Sequence, residues 1–390
     1  MNVPKRVLPI IIISQFCCTS LWFASNAIIN DLIGNFNLDP QALGNLTSSI
    51  QFGFITGTLV FAILTIADRF SPSKVFFISA LIAAGFNICM LSSLNTLFSL
   101  ILFRFFTGFF LAGIYPIGMK IASDYYNKGL GKSLGFLVGA LVLGTAFPHL
   151  LKGFTNSISW EYVIVITSLL AICGGLLVFI FIPNGPYRTP SQSLDFSALF
   201  KVFKKHSFRQ AAFGYFGHMW ELYAFWAFVP IMLSSYQKLH NISNLNIPLV
   251  SFLIIATGSI SCLIAGYTSI RLGTKKTATL LLSLSAFCCL ISPLIFTITP
   301  VIFFIGFLFF WGFVVIADSP LFSTLVAQNA ITALKGTALT IVNCIGFAIT
   351  IVSIQLLSLL NTNTPSIYNY TILSLGPILG LIVLIRKQKA

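Results

Sequence analysis

The sequence predicts an all-α polytopic membrane protein, with twelve transmembrane helices in two pseudo-symmetric six-helix halves. Three observations predict it. Of 390 residues, 57% are hydrophobic and only 8% charged, and the mean hydropathy is +0.96; soluble domains run near about one quarter charged. The apolar residues gather into runs of about 20, the length a spanning helix needs. These runs are apolar on all sides, unlike the short alternating segments of a β-barrel. Finally, the second half of the chain repeats marks of the first. Asp68, Arg69 and Lys74 follow the second run, and Arg271, Lys275 and Lys276 follow the eighth; Gly131-Lys132-Ser133 and Gly336-Thr337-Ala338 open the fifth and eleventh.

In order, the spans are expected at 8–29, 43–66, 75–94, 97–122, 132–153, 160–183, 209–234, 247–269, 275–296, 299–322, 336–360 and 370–385. The first begins with basic residues and an apolar core like a secretory leader. No small-x-small cleavage site follows cleanly and the apolar character continues to about Ile29, so it is expected to be retained. Spans 9 and 10 are parted only by a short turn at Pro300. An even number of spans places both termini on one side. The loops on that side hold every basic residue except Lys152, Lys238 and Arg104. The positive-inside rule therefore puts both termini in the cytoplasm. The same distribution accounts for the net charge of +14 without nucleic acid. The connection 184–208 is the longest on that side and divides the chain into 1–183, a central loop and 209–390. Within it Leu194, Phe196, Leu199, Phe200 and Phe203 alternate with Lys201, Lys204 and Lys205, the pattern of an amphipathic helix on the inner membrane surface.

Other classes fit less well. All eight cysteines fall in apolar segments without a CxxC pair and read as small apolar fillers. There is no HExxH, GxSxG or Gly-rich phosphate loop, so neither a membrane enzyme nor nucleotide-driven transport is expected. No cofactor or metal is expected either: His218 and Glu221 have only His149 and Asp318 as further ligands, at no recognisable spacing. A channel would want pore-lining repeats or a filter loop.

Ala67-Asp68-Arg69-Phe70 with Lys74 resembles the acidic-basic loop, D-R-x-G-R-R, of the major facilitator superfamily. Ser71 stands for the glycine, and Pro72 and Ser73 for the basic pair. In span 4, Arg104 and Gly108 resemble that family's R-x-x-x-G. In span 5, Gly135 and Gly144 are spaced like its efflux pattern, but Pro148 replaces the last glycine, which tilts the reading toward uptake. The resemblance covers nearly the whole chain. It implies alternating-access transport, a gate at Asp68, Arg69 and Lys74, and a central cavity lined by spans 1, 4, 7 and 10.

The unusual side chains fall on those four spans. Span 1 carries Gln15, Thr19, Trp22 and Asn26 on one helical face. Span 4 carries Arg104, Gly108, Leu111 and Tyr115; span 7 Gly214, His218, Glu221 and Phe225; span 10 Trp311 and Asp318. A charge at the bilayer centre costs about 2.5–3.5 kcal/mol on insertion scales, so such residues normally face a cavity or a partner. Arg104, Gln15, Trp22, Asn26, Tyr115, His218 and Trp311 are thus expected to bind substrate, with Arg104 holding an anionic group or an acid. Glu221, about 18 Å into span 7, is expected to couple protons with His218 as relay. Asp318, near the inner end of span 10, reads as a gate residue bathed in cytoplasmic water. The alternative is a static Glu221–Arg104 ion pair that fixes helix packing. His149, beside Pro148, reads as packing.

The expected protein is a monomeric, proton-coupled symporter of a small polar or anionic organic solute, in a bacterial inner membrane. Proton-coupled efflux of an amphipathic compound or of a siderophore-like metabolite is the alternative.

Overall fold

The computed structural model describes residues 4–126, 130–154, 159–188, 197–331 and 334–386, with the side chains of 130–132 and 197–200 left aside. The expectations for Leu194, Phe196, Lys128, Lys387 and Lys389, and for the side chains of Lys132, Leu199 and Phe200, lie outside the described residues. The chain forms two compact units, Met1–Ser193 and Leu194–Ala390.

The first unit holds spans 1 to 6. Span 1 is Val7–Thr19, Ala24–Ala27 and Ile29–Phe36; span 2 is Ala42–Ile63; span 3 is Pro72–Ile88 with a 3₁₀ turn Cys89–Leu91. Span 4 is Leu97–Leu111 and Tyr115–Tyr125, span 5 Leu130–Phe154, span 6 Glu161–Phe181. Local chemistry sets several ends. Pro72 opens span 3 where its missing N–H costs nothing. Thr96 and Ser99 form a reciprocal capping box at the start of span 4.

In the second unit a short helix, Ser197–Lys204, precedes span 7, His206–Leu239. Spans 8 and 9 are Ile247–Leu272 and Thr274–Phe296. Span 10 is Val301–Ala317 and Ser319–Asn329, span 11 Lys335–Asn363, and span 12 a 3₁₀ turn Ile367–Ser374 running into Leu375–Ile385.

Each unit packs its helices in the same pairs. In the first, span 1 lies against 5 and 6, span 2 against 4, and span 3 against 4 and 6; in the second, 7 lies against 11 and 12, 8 against 10, and 9 against 10 and 12. The repeat visible in the loops is thus a repeat of packing. Among the described residues, ten helices are long and apolar enough to cross a membrane, those of spans 2–6 and 8–12. Spans 1 and 7, the first of each unit, are the exceptions. The longest piece of span 1 has 13 residues. Span 7 has 34, about 51 Å of helix, but carries Arg209, Gln210, His218 and Glu221.

Three expected spans are broken rather than continuous. Span 1 loses its helix around Ser20–Phe23, where Thr19 Oγ1 bonds back to the Gln15 carbonyl and Ser20 Oγ to that of Cys17, local bonds that compete with the helix. Span 10 breaks at Asp318 because Ser319-Pro320 follows: proline donates no hydrogen bond to the preceding turn. The helix then resumes to Asn329, well beyond the expected end at 322. Span 4 breaks at the matching place, before Tyr115-Pro116.

Lipid offers no hydrophobic drive for helix pairing, so close approach depends on small residues. A Cβ on Gly108 would collide with the backbone of Ile50, and one on Gly53 with that of Phe105, so spans 2 and 4 touch backbone to backbone. Gly108→Ala is expected to destabilise the protein by about 1–3 kcal/mol. Gly85→Ala, which faces open space in its helix, should stay within about 0.5 kcal/mol of the parent or gain stability. Paired thermal melts in one detergent check both.

Candidate functional site

In the second unit the polar face of span 7 packs against span 10. His218 and Glu221 are three residues apart and so share a helical face. The Nδ1 of His218 lies 2.8 Å from Oδ1 of Asp318, each side chain only 1% exposed. One turn along, Oε1 of Glu221 accepts three hydrogen bonds: from Ser285 Oγ at 2.5 Å, Trp311 Nε1 at 2.6 Å and Cys289 Sγ at 3.3 Å. All three donors are neutral. The Trp311 ring leans on Phe225 at 4.7 Å and Phe307 at 5.5 Å between centroids, which fixes its N–H. Gly214 lies against the Phe322 ring one turn beyond His218. The seam therefore reads Gly214–Phe322, His218–Asp318, Glu221–Trp311, Phe225–Trp311.

Asp318 departs from its expected role. It is not bathed in water at a span end but buried at the break of span 10, because the helix resumes beyond it. The break frees backbone groups, and Cys262 Sγ donates to the Ile316 carbonyl there at 3.6 Å. Cys289 and Cys262 are thus more than apolar fillers: each thiol donates to an oxygen.

In the first unit Arg104 is fully buried. Its Nη1 donates to the Leu21 carbonyl at 3.0 Å and to Asn87 Oδ1 at 3.3 Å; its Nη2 donates to the Leu21 carbonyl at 3.1 Å and, closer still, to that of Trp22. These carbonyls belong to the break in span 1. The guanidinium thus closes the end of a broken helix, where the sequence suggested a grip on an anion or an acid. Asn87 is itself held by Ser168 Oγ at 2.9 Å and by Thr167 Oγ1 and the Ile164 carbonyl, both at 3.3 Å.

The polar face of span 1 is buried along its length. The Gln15 carboxamide lies over Gly118 of span 4. Trp22 stacks obliquely on Phe54 of span 2 at 4.8 Å. Asn26 Nδ2 donates to Thr47 Oγ1 of span 2 at 2.9 Å. Tyr115 is half-buried, opening the second piece of span 4. His149 is buried on span 5.

The expected gate divides. Asp68 pairs with Lys120 of span 4 at 3.1 Å, and Lys120 also reaches Asp124 at 3.7 Å. Arg188 Nη2 donates to the carbonyls of Asp68 and Phe70, both at 2.8 Å. Arg69 and Lys74 are exposed, and Arg69 Nε donates to Thr65 Oγ1 at 3.2 Å. The sequence reading missed Lys120, Asp124 and Arg188, which lie far along the chain from the motif. It also missed Ser285 and Cys289, whose only signal was a small polar pair one turn apart in an apolar run. Among the described residues no three His, Cys, Asp or Glu side chains stand close enough to hold a metal ion.

The family profile for the Major Facilitator Superfamily matches residues 11–354. The chain belongs to the Major Facilitator Superfamily. It is therefore an integral membrane protein with the twelve-helix fold of that superfamily, the fold its sequence predicts. Among curated proteins it is similar to the 4-hydroxybenzoate transporter PcaK of Acinetobacter baylyi (strain ATCC 33305 / BD413 / ADP1), 28% identical over 184 residues, covering 46% of this chain and 38% of that one. It is also similar to low affinity inorganic phosphate transporter 4 of Medicago truncatula, 30% identical over 95 residues, covering 23% and 18%. These matches span well under half the length of either relative. Among solved structures, a D-xylose-proton symporter superimposes with a TM-score of 0.78 at 14% identity, covering 99% and 98% of the two chains. A mutant of the nucleoside transporter NupG does so at 0.75 and 16%, covering 98% and 99%. At such identities they show that this superfamily member shares their fold.

Proposed function

We propose that this superfamily transporter is a proton-coupled symporter that takes up a small polar or anionic organic solute by alternating access. The observation that carries this reading is the Glu221 cradle. A buried carboxylate ringed by a hydroxyl, an indole N–H and a thiol has no fixed countercharge among the donors to its Oε1. Such a group exchanges a proton when its surroundings change. The His218–Asp318 pair one turn away supplies a second proton-binding station on the same seam. The name of the 4-hydroxybenzoate relative supports an organic acid among the solutes, and the incomplete efflux pattern at Pro148 supports inward movement. Both termini face the cytoplasm of a bacterial inner membrane, the working unit is a monomer, and the functional divisions fall at 1–183, 184–208 and 209–390.

The test is solute accumulation in proteoliposomes under an imposed proton gradient. Accumulation that follows the gradient and collapses with a protonophore is expected. Outward-directed flux of amphipathic dyes under the reverse gradient would favour the efflux reading, which the aromatic walls around Trp311 permit.

The Asp68–Lys120 pair acts in this scheme as a latch on the cytoplasmic side. Lys120→Ala is expected to cost under about 1 kcal/mol of stability, since the pair is partly exposed. The same change should alter the transport rate several-fold. Equal rates for parent and variant in the liposome assay would remove the latch from the scheme.

A further inference from the structure

Three carboxamides in the first unit have hydrogen-bonding capacity that the protein does not use. Gln15 and Gln51 are fully buried and Asn26 nearly so. Both polar atoms of Gln15, both of Gln51 and Oδ1 of Asn26 are buried without a partner. Buried polar groups are normally paired, and an unpaired one costs about 1–3 kcal/mol.

The three belong to one neighbourhood along span 1. Thr47 of span 2 receives the Asn26 amide, and Phe54 of span 2 packs on Trp22. Gln51 stands between Thr47 and Phe54 at helical spacing, so it shares the face that covers Trp22 and Asn26. Gln15 extends the same stripe of span 1 toward span 4. Further unpaired atoms occur on the elements packed there: Ser25 Oγ in span 1, and Thr145 Oγ1 and His149 Nε2 in span 5.

The charge of the neighbourhood is already committed. Arg104 is the one buried lysine or arginine among the described residues; its Nη atoms serve the Leu21 and Trp22 carbonyls and Asn87, and its Nε–H is buried without a partner. Apart from that one guanidinium N–H, the unpaired groups are neutral: amide N–H donors, amide carbonyl acceptors, hydroxyls and a ring nitrogen. A carboxamide offers a donor and an acceptor side by side, which matches paired hydroxyls or another amide edge rather than a carboxylate or phosphate.

We infer that Gln51, with Gln15 and Asn26, forms the solute-recognition face of the first unit, and that it selects uncharged solutes carrying adjacent donor and acceptor groups. This rests on the carrier reading above and narrows its solute class to the uncharged members, setting this chain apart from the organic acid in its relative's name.

The experiment measures binding to purified protein in nanodiscs, without a gradient, using matched probes: benzamide against benzoate, and D-ribose against ribose 5-phosphate. The neutral member of at least one pair is expected to bind about tenfold or more tightly than its anionic partner. Gln51→Leu should weaken that binding about tenfold, the loss of one good hydrogen bond. It should also leave the ligand-free melting temperature unchanged or raised, because an apolar isostere relieves two unpaired atoms. Preference for the anion, no preference in either pair, or neutral binding indifferent to Gln51→Leu overturns the inference. So does a sharp fall in melting temperature, which would make Gln51 a packing residue. Because no gradient is used, failure of proton-driven accumulation leaves this result standing, and the two readings fail separately.

Discussion

Glu221→Gln is expected to reduce gradient-driven accumulation to passive equilibration while leaving solute exchange within about threefold of the parent. The substitution keeps the shape and an acceptor oxygen, so Ser285 and Trp311 can still donate to it. What it removes is the proton site. An uncoupled carrier still changes conformation and still equilibrates solute across the membrane, but it cannot draw on the proton gradient. Stability should change by less than about 1 kcal/mol, because a well-matched neutral group replaces a buried ionisable one. Two liposome measurements separate the outcomes: net uptake under a pH gradient, and counterflow of labelled solute without one. Full accumulation by the variant would take coupling away from Glu221 and move it to the His218–Asp318 pair. Loss of both activities would mark Glu221 as a packing or solute-binding group instead.

Arg104→Met is expected to be the most damaging single change to the fold of the first unit. It would strand the Trp22 carbonyl and Asn87 Oδ1 and leave the Leu21 carbonyl with the Ala24 N–H at 3.5 Å. At about 1–3 kcal/mol for each stranded group, a loss of roughly 2–6 kcal/mol follows, enough to deplete folded protein at growth temperature. Arg104→Lys should recover part of it, since an ammonium reaches one or two of these oxygens but lacks the planar fork. The measurement is folded yield by fluorescence-detected size exclusion, with melting temperature as the second readout. If Arg104→Met folds normally and loses only affinity for anionic solutes, the guanidinium is a substrate anchor after all.

Spans, repeat and the set of buried ionisable residues were readable because they rest on composition. A glutamate in an apolar run stands out whatever it touches, and apolar length is counted directly. The partners were not readable. Ser285 and Cys289 look like ordinary small residues of span 9; only folding brings them to Glu221. The breaks were hidden for a related reason. Apolar character runs unbroken through Ser20–Phe23, and the helix stops there because side-chain bonds and a distant arginine satisfy the backbone instead. Asp318 was misplaced because hydropathy fades before the helix does, so the end of span 10 was set too early and a buried residue seemed wet. At the Asp68 loop the motif drew attention to its own cations, while the ion pair is made by Lys120, which no local pattern connects to it.

The unbroken, polar span 7 also bears on how the chain is made. It leaves the ribosome before Ser285, Cys289, Trp311 and Asp318 have been synthesised. For that interval His218 and Glu221 have none of these partners, and each charged group held in lipid would cost about 2.5–3.5 kcal/mol. Membrane integration of the second unit is therefore expected to be cooperative in time, with its first helix held more firmly in the bilayer once spans 9 and 10 arrive. A chain stopped after span 8 should leave span 7 extractable from the membrane, and one extended through span 10 should not.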